Sequence, residues 1–125
     1  MYLKPRVKPE DAKPQGITII SFAFRHGRVE TADILVDVRD IISSDSIYYG
    51  ETGKEPRIIN LVRGYENFIS GLETTIKAAF HYNGGRPLVV ALGCTHGRHR
   101  SVALAELLKE RMPDLPVTIV HRDLK

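Results

Sequence analysis

The amino-acid sequence predicts a single α/β domain with a mostly parallel β-sheet flanked by helices. Three observations point there. Short, β-branched, nearly all-apolar runs suit strands covered on both faces. These alternate with helical segments in the order strand, strand, helix, strand, helix, strand, the pattern of a layered α/β sandwich. The chain has 125 residues, 42% hydrophobic and 26% charged, which fits one globular domain with its own core and is too short for two.

Residues 1–16 interleave Pro5, Pro9 and Pro14 with Lys4, Arg6, Lys8 and Lys13. Little of this can be buried and proline removes backbone donors, so an extended, flexible basic arm is expected, preceding a domain over 17–125. The run Ile17–Phe24 (ITIISFAF) is the first strand, broken by Gly27, and Ile34–Val38 (ILVDV) is the second. About nine residues separate them, short for a parallel crossover, so the direction of this pair is open. Residues 43–57 are polar with Gly50, Gly53 and Pro56, and read as a loop. From Asn60 to Phe80, Leu61, Tyr65, Phe68, Ile69, Leu72, Ile76 and Phe80 recur at helical spacing, with Gly64 and Gly71 as weak points. Asn83-Gly84-Gly85 ends that helix. Leu88–Leu92 (LVVAL) is a buried strand, Val102–Met112 a helix stopped by Pro113, and Val117–Val120 the last strand. No internal repeat interrupts this order.

Composition excludes several classes. The single cysteine, Cys94, removes a disulfide framework and a cysteine-rich zinc site. No apolar run approaches a membrane span, and the first residues lack the apolar stretch of a secretory signal, so a cytoplasmic protein with no membrane association is expected. The net charge of +3 is mildly basic, and 11 of the 18 cations are arginine, the residue suited to forked phosphate contact. A solvated basic face explains the same composition.

The segment that carries chemistry is Gly93-Cys94-Thr95-His96-Gly97-Arg98-His99-Arg100-Ser101. It lies between a buried strand and a helix start, where backbone N–H groups turn inward and the helix N-terminus adds positive charge. Gly97 would let the backbone approach a ligand, Arg100 would fork onto an oxyanion, and Thr95 and Ser101 offer hydroxyls. Such a loop is a phosphate cradle at the carboxyl end of a strand, where α/β sheets bind ligands. The spacing Cys94-x-x-Gly97-x-x-Arg100-Ser101 is also a cysteine-phosphatase signature, in which Cys94 is the nucleophile and Arg100 holds the phosphoryl group. The leaving-group acid such an enzyme needs has only Asp37, Asp40 and Asp45 as candidates. The bland alternative for Cys94 is a small buried residue at a strand end. His96, His99 and His121 lack metal-ligand spacing, so neither a metal nor another cofactor is expected. His121 and Arg122 follow the last strand at the same sheet edge and would extend a basic rim, unless they are a frayed terminus.

The blocks SFAFRHG (Ser21–Gly27), DVR (Asp37–Arg39), GCTHGRHRSVALAE (Gly93–Glu106) and HRDLK (His121–Lys125) occur in this order over nearly the whole chain. Together they resemble the C-terminal domain of the RNase adapter protein RapZ family. The resemblance implies a non-enzymatic sensor that binds an amino-sugar phosphate, or a similar phosphorylated metabolite, and small RNA, and that assembles into homo-oligomers. It places Thr95, His99 and Arg100 in the ligand pocket with Asp37 and Arg39 nearby, and His96, Gly97, Arg98 and Ser101 complete the loop. His96 stands where the family has glycine, and the pocket histidine that follows the family's DVR block has no match here, Asp45 or a neighbour taking its place. A Thr52-Gly53 pair survives in a shortened middle segment. The family's N-terminal nucleotide-binding domain and its phosphate-loop motif do not occur in this sequence, which makes a separate nucleotide-binding protein a candidate partner.

Overall fold

The computed structural model describes residues 16–44, 47, 50–84 and 86–124. The expected basic arm falls outside these apart from Gly16, whose carbonyl accepts a hydrogen bond from the Leu88 N–H at 3.0 Å. The strands are β1 (Ile17–Ala23), β2 (Ile34–Asp37), β3 (Leu88–Cys94) and β4 (Val117–His121). They form one sheet in the order β2-β3-β1-β4, every pairing parallel. The open question about the first strand pair resolves simply, because β1 and β2 do not touch. β3 lies between them, and the connection through residues 24–33 passes from the carboxyl end of β1 to the amino end of β2. Asp33 anchors its far end, its N–H donating to the Val89 carbonyl and its carboxylate accepting from the Val89 N–H, both at 2.8 Å.

The helices are α1 (Pro56–Arg63), α2 (Glu66–Tyr82) and α3 (Arg100–Arg111). The single helix expected over 60–80 is therefore two, and the first begins inside the expected loop. Pro56 occupies the first helical turn, where its missing N–H costs nothing. The break falls where Gly64 caps α1 and Tyr65 leaves helical geometry at φ −95°, ψ 48°. The apolar spacing runs through the break almost in phase, so periodicity alone does not show it. Tyr65 then reaches back, its hydroxyl accepting from the Ser43 N–H at 3.0 Å.

Alternate residues of the central strands, Ile17 and Ile19 on β1 with Leu88, Val90 and Leu92 on β3, pack against Ile58, Val62, Ile69, Ile76, Leu104, Leu107 and Leu108 of the helices. β3 is buried along its whole length. On the opposite side Phe22 is fully buried with the Phe24 ring edge-on at 4.8 Å and the Arg122 guanidinium above it at 5.4 Å. No helix among the described residues is long and apolar enough to cross a membrane.

Candidate functional site

β3 ends at Cys94 and α3 begins at Arg100, so residues 95–99 form a loop at the carboxyl end of a central parallel strand. The N–H groups of the first turn of α3 have no intrahelical acceptor, as at any helix start. Gly97 adopts φ +63°, and a Cβ there would lie 2.7 Å from the Ala23 N and 2.9 Å from the Phe22 carbonyl carbon. The glycine is needed for close approach to β1, a requirement the sequence did not show. Thr95 and His96 are exposed, and Arg98 and His99 half-buried.

The arginines of the loop do not all point outward. Arg100 is 8% exposed, and its Nη1 donates to the carbonyls of Arg39 at 2.9 Å and Ile42 at 3.0 Å. Its Nη2 lies 3.5 Å from the Thr95 Oγ1. The guanidinium expected to fork onto an anion thus spends one arm closing the turn after β2. Arg98 donates to the carbonyl of Glu51 at 3.1 Å and leans toward that of Gly50 at 3.4 Å, holding the segment before α1 against the loop. Gly53 completes that seam: its N–H donates to the Arg98 carbonyl at 2.8 Å, and a Cβ would lie 2.5 Å from the Ala103 N.

Asp37 and Arg39 stand beside the loop, joined through Val38, whose N–H donates to the Gly93 carbonyl at 2.9 Å. Arg39 forks onto Asp37 at 2.9 and 2.6 Å and stacks 4.0 Å above the Phe24 ring. Its hydrogen bond holds the Asp37 carboxyl below the usual carboxylate range. Of the candidate leaving-group acids, Asp37 is engaged in this fork, Asp40 is exposed and Asp45 lies outside the described residues.

Cys94 is 2% exposed, its thiol hydrogen-bonded to the fully buried Ser101 hydroxyl at 3.0 Å. His121 and Arg122, expected to extend a basic rim or fray, are both engaged in contacts within the domain. His121 Nε2–H donates to Glu106 Oε2 at 2.7 Å, and its Nδ1 shares a hydrogen bond with the Ser21 hydroxyl at 2.6 Å, bridging β4, α3 and β1. Arg122 donates to the Gly27 carbonyl at 2.6 Å and pairs with Asp123, whose carboxylate also accepts from the Ala23 N–H at 2.7 Å. The chain end is a clasp on the turn after β1. Among the described residues no group of three or more His, Cys, Asp or Glu is placed to hold a metal.

The family model described as the RapZ C-terminal domain matches residues 15–125. The chain belongs to that family. Relatives named nucleotide-binding protein include those of Anaeromyxobacter dehalogenans, 34% identical over 92% of this chain, Lacticaseibacillus casei, 36% over 87%, and Agathobacter rectalis, 36% over 94%. This chain spans 40–44% of the length of those three relatives. Within the RapZ C-terminal fold, the four resemblance blocks meet at one end of the sheet: β1 delivers SFAFRHG, β2 delivers DVR, and the HRD residues fasten the first to the sheet. Sequence reasoning did not place Arg25 beside the loop. It lies within the first block, but nothing in the sequence sets it beside His96, 71 positions away, to which its Nη1 donates at 3.3 Å.

Proposed function

We propose that this domain is a binding module for a phosphorylated small metabolite of the amino-sugar phosphate type, seated on the 95–101 loop. The observation that supports this best is the loop's position, at the carboxyl end of a buried central strand with the first turn of α3 opening onto it. In this reading the backbone N–H groups and the Thr95 hydroxyl hold the phosphate, His99 borders it, and Asp37, Arg39 and Thr52 flank the rest of the ligand. Arg100 contributes its charge and one arm while fixing the turn after β2. Small RNA, a homo-oligomeric assembly and a separate nucleotide-binding partner protein belong to the same proposal and rest on family membership.

Calorimetric titration with inorganic phosphate and glucosamine 6-phosphate, alongside thermal melts, tests it. Binding is expected, and a ligand at 100 times its dissociation constant adds about 2.7 kcal/mol of stability. Thr95→Val should weaken binding and keep the melting temperature of the free protein. No binding of either compound at millimolar concentration refutes the proposal.

One observation favours a second reading. The hydrogen bond between Cys94 and Ser101 is a contact that would steady a thiolate. A cysteine phosphatase would release phosphate from aryl or sugar phosphates and lose that turnover in Cys94→Ser. The enclosure of Cys94 and the diversion of Arg100 to carbonyl oxygens favour the module instead, for which Cys94→Ser keeps affinity within a few fold.

A further inference from the structure

The two edges of the sheet differ. β2 is four residues long, follows Asp33 and ends at Asp37, the short and charged kind of edge that resists pairing. β4 is the other edge, and no strand among the described residues pairs with its outer side. Its residues Val117, Thr118, Ile119 and Val120 are β-branched, and it holds no proline, lysine, arginine or acid. Its register with β1 runs from Val117 to His121 without a bulge. β4 therefore carries none of the devices that blunt an exposed edge.

The hydrogen-bond phase fixes what that edge presents. The Pro116 carbonyl accepts from the Ile17 N–H at 2.9 Å, and the Arg122 N–H donates to the Ser21 carbonyl at 3.0 Å. The even-numbered residues of this strand thus turn their backbone groups toward β1, and in a parallel ladder the alternate residues face the other way. The N–H and C=O of Ile119 and His121 and the C=O of Val117 therefore lie on the outer side. Side chains alternate between the faces: Val117 and Ile119 pack on the core and His121 meets Glu106 of α3, while Thr118 and Val120 stand on the opposite face. Val120 is 43% exposed there.

We propose that β4 pairs antiparallel with β4 of a second copy of this chain, across a two-fold axis at Ile119, so that two four-stranded sheets become one. This names the surface for the homo-oligomeric part of the proposed function and rests on that part. The strand is its own complement. With the axis at Ile119, the two Ile119 residues exchange both backbone bonds, and the His121 N–H of each copy donates to the Val117 carbonyl of the other. Such a contact is isologous and closes at two copies. On the opposite face Thr118 of each copy stands against Val120 of the other, which covers the exposed valine. Asp114, exposed beyond one end of the strand, falls at the end where the other copy carries Arg122, whereas a parallel pairing sets Asp114 beside Asp114.

The test follows the full chain by analytical ultracentrifugation from micromolar to millimolar concentration, where a concentration-dependent dimer is expected. Val120→Lys sets like charges about 7–8 Å apart on the diagonal across the axis and should weaken that dimer about tenfold. Val120 is exposed, so the melting temperature of the monomer should stay close to that of the wild type. Cysteine pairs read the register. Thr118 and Val120 of opposite copies form a non-hydrogen-bonded pair with Cα atoms about 4.5 Å apart, inside the roughly 4.4–6.8 Å that a disulfide spans. Mixed Thr118→Cys and Val120→Cys chains should therefore oxidise to a covalent dimer holding one chain of each kind, and either variant alone should cross-link far less. A dimer that persists in Val120→Lys and whose mixed cysteines do not cross-link uses another surface, which refutes the β4 pairing and leaves the homo-oligomeric reading standing. A monomer at every concentration refutes both. If amide exchange in that monomer shows Ile119 and His121 protected, another stretch of the same chain covers the edge. Phosphate titration decides the metabolite reading independently in each case.

Discussion

At the scale of single residues, the loop shows how far the role of a side chain depends on its neighbours. Arg100 and Arg98 are identical in chemistry and two positions apart, yet one closes the turn after β2 and the other holds the segment before α1. Each carbonyl that an arginine caps gains a hydrogen bond as the segments pack, and the Ile42 carbonyl, which is buried, would otherwise be stranded. Asp123 works the same way from the chain end. Burial pushes its carboxyl up, but the hydrogen bonds from Arg122 and the Ala23 N–H outweigh this and hold it below its ordinary value of 3.8. A depressed carboxylate stabilises the fold fully above its unfolded value, and that stability is lost as the pH falls through the lower folded value. Asp123→Asn should therefore destabilise the domain near neutral pH by about 1 to 3 kcal/mol, the range for a hydrogen-bonded charged group. The deficit should shrink as the pH falls below about 3.8, where the wild-type carboxyl also becomes neutral. Urea melts of both proteins at neutral and acid pH check this, and a deficit independent of pH would count against the clasp.

At the scale of elements, the site is a product of close approaches. The start of α3 is approached by the 50–53 segment, and the tightest point is Gly53, whose absent side chain would collide with the Ala103 N and the His99 carbonyl. Both are backbone atoms and cannot rotate aside, so Gly53→Ala must part the segment from the helix. The expected cost is about 1 to 3 kcal/mol, typical of overpacking, together with weaker phosphate binding because Arg98 loses its carbonyl partners. Gly71 is the contrasting control. It lies inside α2 with open space around its Cβ position, so Gly71→Ala should stabilise the helix by up to about 1 kcal/mol. Chemical denaturation of the two variants gives opposite signs if this account of packing is right.

At the scale of the whole molecule, the all-parallel order β2-β3-β1-β4 gathers the carboxyl ends of four strands at one edge. Every block that marks the RapZ C-terminal family includes one of these strand ends: Ala23, Asp37, Cys94 and His121 are the last residues of their strands. The net charge of +3 is small, so its placement matters more than its size. If small RNA is a partner, its affinity should fall steeply from about 50 to about 200 mM salt, because phosphate contacts release counterions. Sequence selectivity should be low, since the chain has few aromatic platforms for unstacked bases. Gel shifts across that salt range check both points, and complete absence of binding at low salt removes RNA from the proposal.

The sequence by itself determined the fold class, the strands, the loop between β3 and α3 and the family, because these rest on local signals: apolar runs with a period, glycine and proline punctuation, and contiguous motif residues. It also held the alternative that Cys94 is a packing residue. Only the tertiary structure decided that β3 separates β1 from β2, that the long helix divides at Gly64-Tyr65, and that Gly97 serves contact with β1. The same is true of His121 joining Ser21 to Glu106 and of Arg25 meeting His96. Each of these depends on atoms brought together from distant positions, or on a break that leaves the apolar period intact, and neither kind of information is carried by the spacing of residues along the chain.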